Sequence, residues 1–548
     1  MKRKIVVYLV SICLIGACVR LYRLTNIPNS VSADEAAFGY NAYSLSITGR
    51  DEFGTFLPLT LRSFDDYKNP LFGYALIPTI KLFGLNAWSI RLVSAIAGIL
   101  LIPFIFLISR ILTDNLRISL LAALFGSISP WLIQYSRVAI DMELALFFSL
   151  LAVWLFLMAP KKPVLFLAAS AAFAASFYTY HSSKVWVPLI FICLLFYVKN
   201  INRFVLLALL LLGLALVPYF IQLKTSAVGL RPYAISVFAN QEVIIRDAKF
   251  IAEDLGKNII EGKFIHNRRF TALNQAVNGY FSVFNPYIYF GTNQSNHSPL
   301  TRLFYLWQIP LFIIGFLVFT RNNKAWWLLG IWIFIGMIPG GLTIFPPYDR
   351  RVLLISFPLI LFMAFGLHNL VTRITPYPAF LWLFKLFSVT LVTFSVFFYL
   401  HHYFVHGINT VVDMWGNGMK EVVSITSSLK NKYQHVYVSL KLNQPLTFFL
   451  FYEKYDPQKY LAEGGTIYGG YLENGNKFGN YRFQFIEGDD WQPQNLYVWK
   501  TSETQECLRP INTVFMSDGL PLAYIGEYDL LLPECQKWLK NKETRLTL

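Results

Sequence analysis

Apolar blocks of about twenty residues recur along this chain, and no other feature constrains its fold as strongly. A helix of that length matches the roughly 30 Å hydrocarbon core of a bilayer. Inside that core the backbone finds no water to bond, so only helices and closed barrels cross it. The first block follows Met1-Lys2-Arg3-Lys4 and runs to about Leu21. About ten more lie near 89–109, 118–135, 142–159, 163–179, 185–198, 204–222, 302–320, 325–341, 351–371 and 380–400. Of 548 residues, 55% are hydrophobic and 14% charged, where soluble proteins carry roughly 25% charged. The sequence predicts a polytopic α-helical membrane protein of about eleven spans, residues 1–407, followed by a soluble segment, 408–548.

The formal charge of +16 does not imply a nucleic-acid partner, because no compact basic tract exists. Membrane proteins collect Lys and Arg in cytoplasmic loops. With Lys2, Arg3 and Lys4 inside, the inward turns hold Arg110 and Arg117, Lys161 and Lys162, Lys199 and Arg203, Arg321 and Lys324, and Arg373. Each is basic, so the positive-inside rule gives a cytoplasmic N-terminus. It also gives outer loops at 22–88 and 223–301, and an extracytoplasmic C-terminal domain. Pro70–Gly84 is apolar but short and carries Lys81. It reads as an interfacial helix; as a span it would invert every later loop. Ile15-Gly16-Ala17-Cys18 imitates a lipoprotein cleavage site, but a retained first helix fits better, since later spans make a lipid anchor redundant.

Beyond His401 the composition changes. Met419–Lys432 reads as a helix. His435–Ser439, Thr466–Tyr471, Tyr481–Phe485 and Leu496–Trp499 read as strands between Gly, Asn and Asp turns. The segment is expected to be a compact α/β domain. Its aromatics Tyr468, Tyr471 and Trp491 could stack on sugars, though core packing is the better reading. Cys507 and Cys535 could form a disulfide if the domain lies outside the cytosol.

The outward turns carry charges that topology does not require. Arg137 and Asp141 lie in Gln134–Glu143. Tyr180, His181 and Lys184 fill a second turn. Asp349, Arg350 and Arg351 follow Pro346-Pro347-Tyr348 in a third. Any one of them can be a helix-end charge reaching the headgroups. Together they outline a polar, mainly cationic pocket suited to an anion such as phosphate. In the first outer loop, Asp34 and Glu35 follow Ser32-Ala33 and precede an apolar-aromatic stretch to Ile47. An acidic pair there also simply starts a helix. Lys68, before Asn69-Pro70, is an interface lysine or a phosphate contact.

These residues, in this order, resemble the GT-C fold glycosyltransferases that use a polyprenyl-phosphate sugar. The group is glycosyltransferase family 39-like. It includes the protein O-mannosyltransferases and the bacterial transferase that adds aminoarabinose to lipid A. The matching features are the acidic pair Asp34 and Glu35, then Lys68 with Pro70-Leu71, then Arg137 with Asp141. The resemblance covers about residues 1–400. The C-terminal segment does not resemble the β-trefoil of the eukaryotic members.

The resemblance implies an enzyme of the bacterial-type plasma membrane. It would transfer a hexose such as mannose from a polyprenyl-phosphate donor to a protein, lipid or glycan hydroxyl, with inversion. Asp34 would be the general base, Glu35 a support, and Asp141 would orient Asp34, the acceptor or the sugar. Lys68 would contact the phosphodiester. Arg137, His181, Lys184, Arg350 and Arg351 would bind substrate, with Arg137, Lys184, Arg350 or Arg351 neutralising the leaving phosphate. No cofactor is required on this reading, although Asp34, Glu35 and Asp141 could in principle hold a divalent metal. A transporter or flippase of lipid-linked sugars, or a non-catalytic envelope assembly subunit, are the rival readings. Charges gathered on one face, without an internal repeat, favour the enzyme.

Overall fold

The computed structural model describes residues 2–64, 66–196, 198, 201–225, 236–239, 241–291, 293–295, 298–322, 325–343, 349–407, 416–469, 474–487, 491–503 and 505–546. Lys199, Lys324, Tyr348 and Tyr471, singled out above, lie outside these. The chain divides into two compact units, Met1–Tyr22 with Ser94–His402, and Arg23–Val93 with Tyr403–Leu548. Residues Arg23–Val93 thus group with the C-terminal segment.

The first unit is helical. Among the described residues six helices are long and apolar enough to cross a bilayer: Arg3–Leu21, Ala87–Thr113, Asp141–Met158, Arg203–Lys224, Asp349–Ile374 and Pro378–His406. A seventh span counts if Leu116–Ile128 and Pro130–Ser136, bent by 53°, are taken together. Pro130 opens the second piece, and proline is an ordinary cause of such a break. The protein is therefore a largely helical, multi-span membrane protein. Leu165–Phe177 and Ser183–Leu195 have only 13 residues each, about 20 Å at 1.5 Å per residue. Gln308–Asn322 and Ser356–Ile374 pack closely. A Cβ on Gly315 would strike the Phe362 main chain, and one on Gly366 the Leu311 main chain. Small residues allow that approach where no hydrophobic force drives helices together.

In the second unit, Ser32 caps the helix Ala33–Thr48, and Gly49, at φ +69°, ends it. The hairpin of Leu61–Ser63 and Asp66–Lys68 pairs Leu61 with Lys68. Pro70–Phe83 follows as a 14-residue helix, about 21 Å long. The C-terminal part carries a six-stranded mixed sheet. Its spatial order is Asn476–Phe478, Tyr481–Gln484, Val436–Ser439, Leu496–Lys500, Pro521–Tyr528, Leu508–Phe515. The helices Met419–Leu429 and Pro445–Glu453 pack together beside it. The strand expected at Thr466–Tyr471 does not form over the described residues 466–469. There the Thr466 N–H donates to the Glu52 carbonyl at 2.9 Å instead of to a neighbouring strand. Cys507 and Cys535 are joined by a disulfide. They are buried among Trp491, Tyr497 and Trp499, so Trp491 is a core residue. Tyr468 is 52% exposed.

Candidate active site

In the second unit the site begins with the first turn of Ala33–Thr48. Ser32-Ala33-Asp34-Glu35 forms a capping box. The Glu35 N–H donates to Ser32 Oγ at 3.3 Å, and the Ser32 N–H donates to Glu35 Oε2 at 2.9 Å. Glu35 is fully buried and ion-paired with Arg91, also fully buried, at 2.9 Å. Arg91 Nη1 donates to the Leu24 and Pro28 carbonyls, and its Nη2 to the Ser30 carbonyl and Glu35 Oε2. One guanidinium thus ties the incoming chain to the helix start. This corrects the catalytic expectation for Glu35: its carboxylate is consumed by the cap and by Arg91, with no surface left for a substrate.

Asp34, one residue earlier, points elsewhere. Its side chain is 37% exposed and lies 2.6 Å from Lys68 Nζ. Lys68 itself is nearly buried and sits 4.8 Å over the rings of both Phe38 and Phe64. Negative charge on Asp34 is stabilised by the lysine and by the helix N-terminus. An accessible carboxylate in a fixed position is what proton abstraction from a hydroxyl needs. Lys68 is thus placed as the partner of Asp34.

Behind them lies Glu52, a residue that sequence reasoning missed. It is buried and accepts hydrogen bonds from Asn41 Nδ2 at 2.8 Å and Thr466 Oγ1 at 3.1 Å. Burial pushes its pKa up from 4.5 to about 7, against those hydrogen bonds and the pull of Lys68. Only a polar side chain at a Gly49-to-Gly54 turn marked it in the sequence.

In the first unit the three charged turns converge. Asp141 opens the helix Asp141–Met158, and Arg350 and Arg351 lie in the 3-10 turn Asp349–Ile355. All three charges act on the buried hydroxyl of Tyr180, which also hydrogen bonds with Ser182. Burial raises the Tyr180 pKa, and the two arginines oppose that rise. Tyr135 donates to Asp349 Oδ2 at 2.7 Å, and the Arg350 N–H donates to Asp349 Oδ1 at 2.9 Å. The cluster of Tyr135, Asp141, Tyr180, Asp349, Arg350 and Arg351 contains three residues not chosen as site residues from sequence. Two half-buried guanidinium groups beside hydroxyls and carboxylates can hold an anion bidentately. His181 is half-buried in the same turn as Tyr180. Lys184 Nζ lies 4.0 Å over the Tyr219 ring.

Arg137 has a different task from the one expected. It is fully buried, donating through Nη1 to the Val19 and Arg20 carbonyls and through Nη2 to the Tyr22 carbonyl. It closes the C-terminus of the first helix, where orphan carbonyls need partners, and is not placed to neutralise a leaving group.

Of the acids that could in principle hold a divalent metal, Glu35 is ion-paired with Arg91; among the described residues no group of three His, Cys, Asp or Glu lies together.

Residues 67–221 match the family described as dolichyl-phosphate-mannose-protein mannosyltransferase, a stretch that includes Lys68 and Arg137–Lys184. No curated protein sequence matches. Among solved structures, the fold is similar to that of the Archaeoglobus fulgidus oligosaccharyltransferase tethered to an acceptor peptide. The TM-score is 0.51 at 14% identity, over 82% of this chain and 63% of that one. This chain therefore spans less than two thirds of that protein's length. It is also similar to ArnT from Cupriavidus metallidurans bound to undecaprenyl phosphate. There the TM-score is 0.50 at 13% identity, over 95% of this chain and 97% of that one. These likenesses show a GT-C-like fold, as the sequence resemblance implied.

Proposed function

We propose that the protein is a membrane glycosyltransferase that moves a sugar from a polyprenyl-phosphate donor to an acceptor hydroxyl by an inverting displacement. The observation that carries this reading is the accessible carboxylate of Asp34, held 2.6 Å from Lys68, next to a stretch matching a lipid-phosphate mannosyltransferase family. A hexose such as mannose is the proposed sugar. A protein, lipid or glycan hydroxyl is the proposed acceptor.

The chemistry asks little of the chain beyond placement and charge. Asp34 takes the acceptor proton. The freed oxygen attacks the anomeric carbon opposite the phosphate, the carbon–oxygen bond to the phosphate breaks, and polyprenyl phosphate departs as an anion. Lys68 holds the Asp34 carboxylate and contacts the phosphodiester. Arg350 and Arg351, beside Asp141 and Tyr180, form the proposed anion-binding cluster of the first unit, since preorganised charge stabilises a phosphate most effectively. His181 and Lys184 extend the binding surface. Glu35 and Arg137 are positioning residues.

The six long helices, the bent pair and the four shorter apolar helices 165–177, 183–195, 308–318 and 326–341 support an eleven-span topology with a cytoplasmic N-terminus. In that topology 408–548 is an extracytoplasmic domain of a bacterial-type plasma membrane protein. The Cys507–Cys535 disulfide supports the oxidising side.

The test is release of polyprenyl phosphate by the purified protein from a polyprenyl-phosphate hexose, with hydroxyl acceptors supplied. Turnover is expected. Absence of turnover across hexose donors, with flipping of the intact lipid in proteoliposomes, would replace the enzyme by a transporter.

A further inference from the structure

The outer loop 223–301 contains a helix that nothing in the proposed chemistry uses. Arg268–Ser282 turns one narrow face inward through Ala272, Ala276 and Gly279, which are buried. This face packs on Trp326–Gly341, where a Cβ on Gly341 would meet the Tyr280 main chain. Tyr280 Oη donates to the Phe334 carbonyl at 3.1 Å, and the Phe284 and Phe334 rings lie 5.8 Å apart. Phe334 is midway along that apolar helix. The loop helix therefore docks well inside the length of a membrane helix.

Its opposite face is open and mainly apolar, interrupted by Asn274 and Asn278, where Asn278 Nδ2 donates to Asn274 Oδ1 at 3.3 Å. Phe270, Leu273, Val277 and Phe281 recur at helical spacing and are 58%, 57%, 43% and 64% exposed. Phe334 beside them is 56% exposed. The stripe thus continues the exposed apolar surface of Trp326–Gly341. The chain leading into it exposes Phe264 and Ile265, at 76% and 57%, between exposed Lys257, Lys263 and Arg269. Glu261 is the lone acid among them. A large open apolar patch with a cationic rim marks an interaction surface, and phosphate headgroups above acyl chains complement this pattern.

We propose that Phe264–Phe281 is a membrane-embedded anchor: the apolar stripe of Arg268–Ser282 inserts into the outer leaflet, and Lys257, Lys263 and Arg269 bind phospholipid phosphates. The occupant of the stripe is lipid, not an acceptor or a second copy.

The experiment uses the full chain in proteoliposomes of phosphatidylglycerol and phosphatidylethanolamine. Cys13, Cys18 and Cys193 are replaced by serine, and the disulfide is kept. A nitroxide is attached at Val277→Cys or Phe281→Cys, and at Lys249→Cys, whose side chain is 74% exposed on a polar helix. At 277 and 281, collisions with dissolved oxygen should exceed those with a water-soluble nickel complex. At 249 the order should reverse. Nickel collisions dominating at 277 and 281 would overturn the proposal. So would spin–spin broadening between labels there, which would assign the stripe to a second copy. Circular dichroism of each labelled protein confirms that the helices are retained.

Discussion

Replacing Glu35 by Gln tests the architecture behind Asp34 with a nearly isosteric change. Gln keeps an acceptor for the Ser32 N–H, so the capping box survives and the charge alone is lost. Arg91 then remains as a cation with zero exposure and no counter-charge. Stranding one partner of a buried pair costs about 3–5 kcal/mol. Arg91→Met should also be costly. It leaves the Leu24, Pro28 and Ser30 carbonyls without the donors now at 3.1, 2.8 and 2.5 Å, at about 1 kcal/mol or more each. The double variant removes both charges, so its cost should fall at least about 2 kcal/mol short of the sum of the singles. SDS titration of the purified protein in mixed micelles measures all four corners. Turnover should fall too, since misplacing a catalytic group by about 1 Å can cost about a hundredfold. A Glu35→Gln protein within about 1 kcal/mol of the parent, or an additive cycle, would refute the reasoning.

Other outcomes follow from the same geometry. Glu52 has a folded pKa of about 7 against its usual 4.5. The folded state therefore binds the extra proton, and stability should fall as pH rises from about 4.5 to 7, by on the order of 3 kcal/mol. Glu52→Gln should flatten that slope in melts taken at pH 5 and pH 8. Cys507→Ser with Cys535→Ser opens a cross-link spanning 28 residues and should cost about 3–4 kcal/mol in the chain-entropy account, read as a lower unfolding midpoint. Arg350→Gln and Arg351→Gln should each lower kcat by about 10²–10³ if they stabilise the departing phosphate. Phosphate-free apolar ligands should bind these variants unchanged.

The sequence made the multi-span helical fold legible because span length is a local property. It marked Asp34 and Lys68 as candidates, since each stands beside a helix start. It could not show Arg91, which reaches Glu35 from 56 residues away, so an acidic pair that shares one helix turn read as one catalytic unit. Arg137 looked like a substrate ligand because an outward arginine has no topological reason to exist; its reason is the carbonyl end of the first helix. The gathering of Tyr135, Asp349 and Tyr180 depends on packing between helices, which periodicity does not encode. In the C-terminal domain, the strand Leu508–Phe515 carries Pro510 and lacks an alternating apolar pattern, so its sequence does not mark it as a strand. The apparent strand at Thr466–Tyr471 was apolar and β-branched at its start, but Glu52 claims its first N–H.

The most direct test of the central claim is turnover of a polyprenyl-phosphate hexose by purified Asp34→Asn protein, with its unfolding midpoint measured alongside. Asp34 is partly exposed but Lys68 is nearly buried; Asn keeps an acceptor for the lysine, and losing the counter-charge should cost about 1–3 kcal/mol. The account predicts a folded protein whose kcat falls by about 10²–10⁴, with Asp34→Glu recovering part of the rate. A folded Asp34→Asn protein that turns over near the parent rate would contradict it.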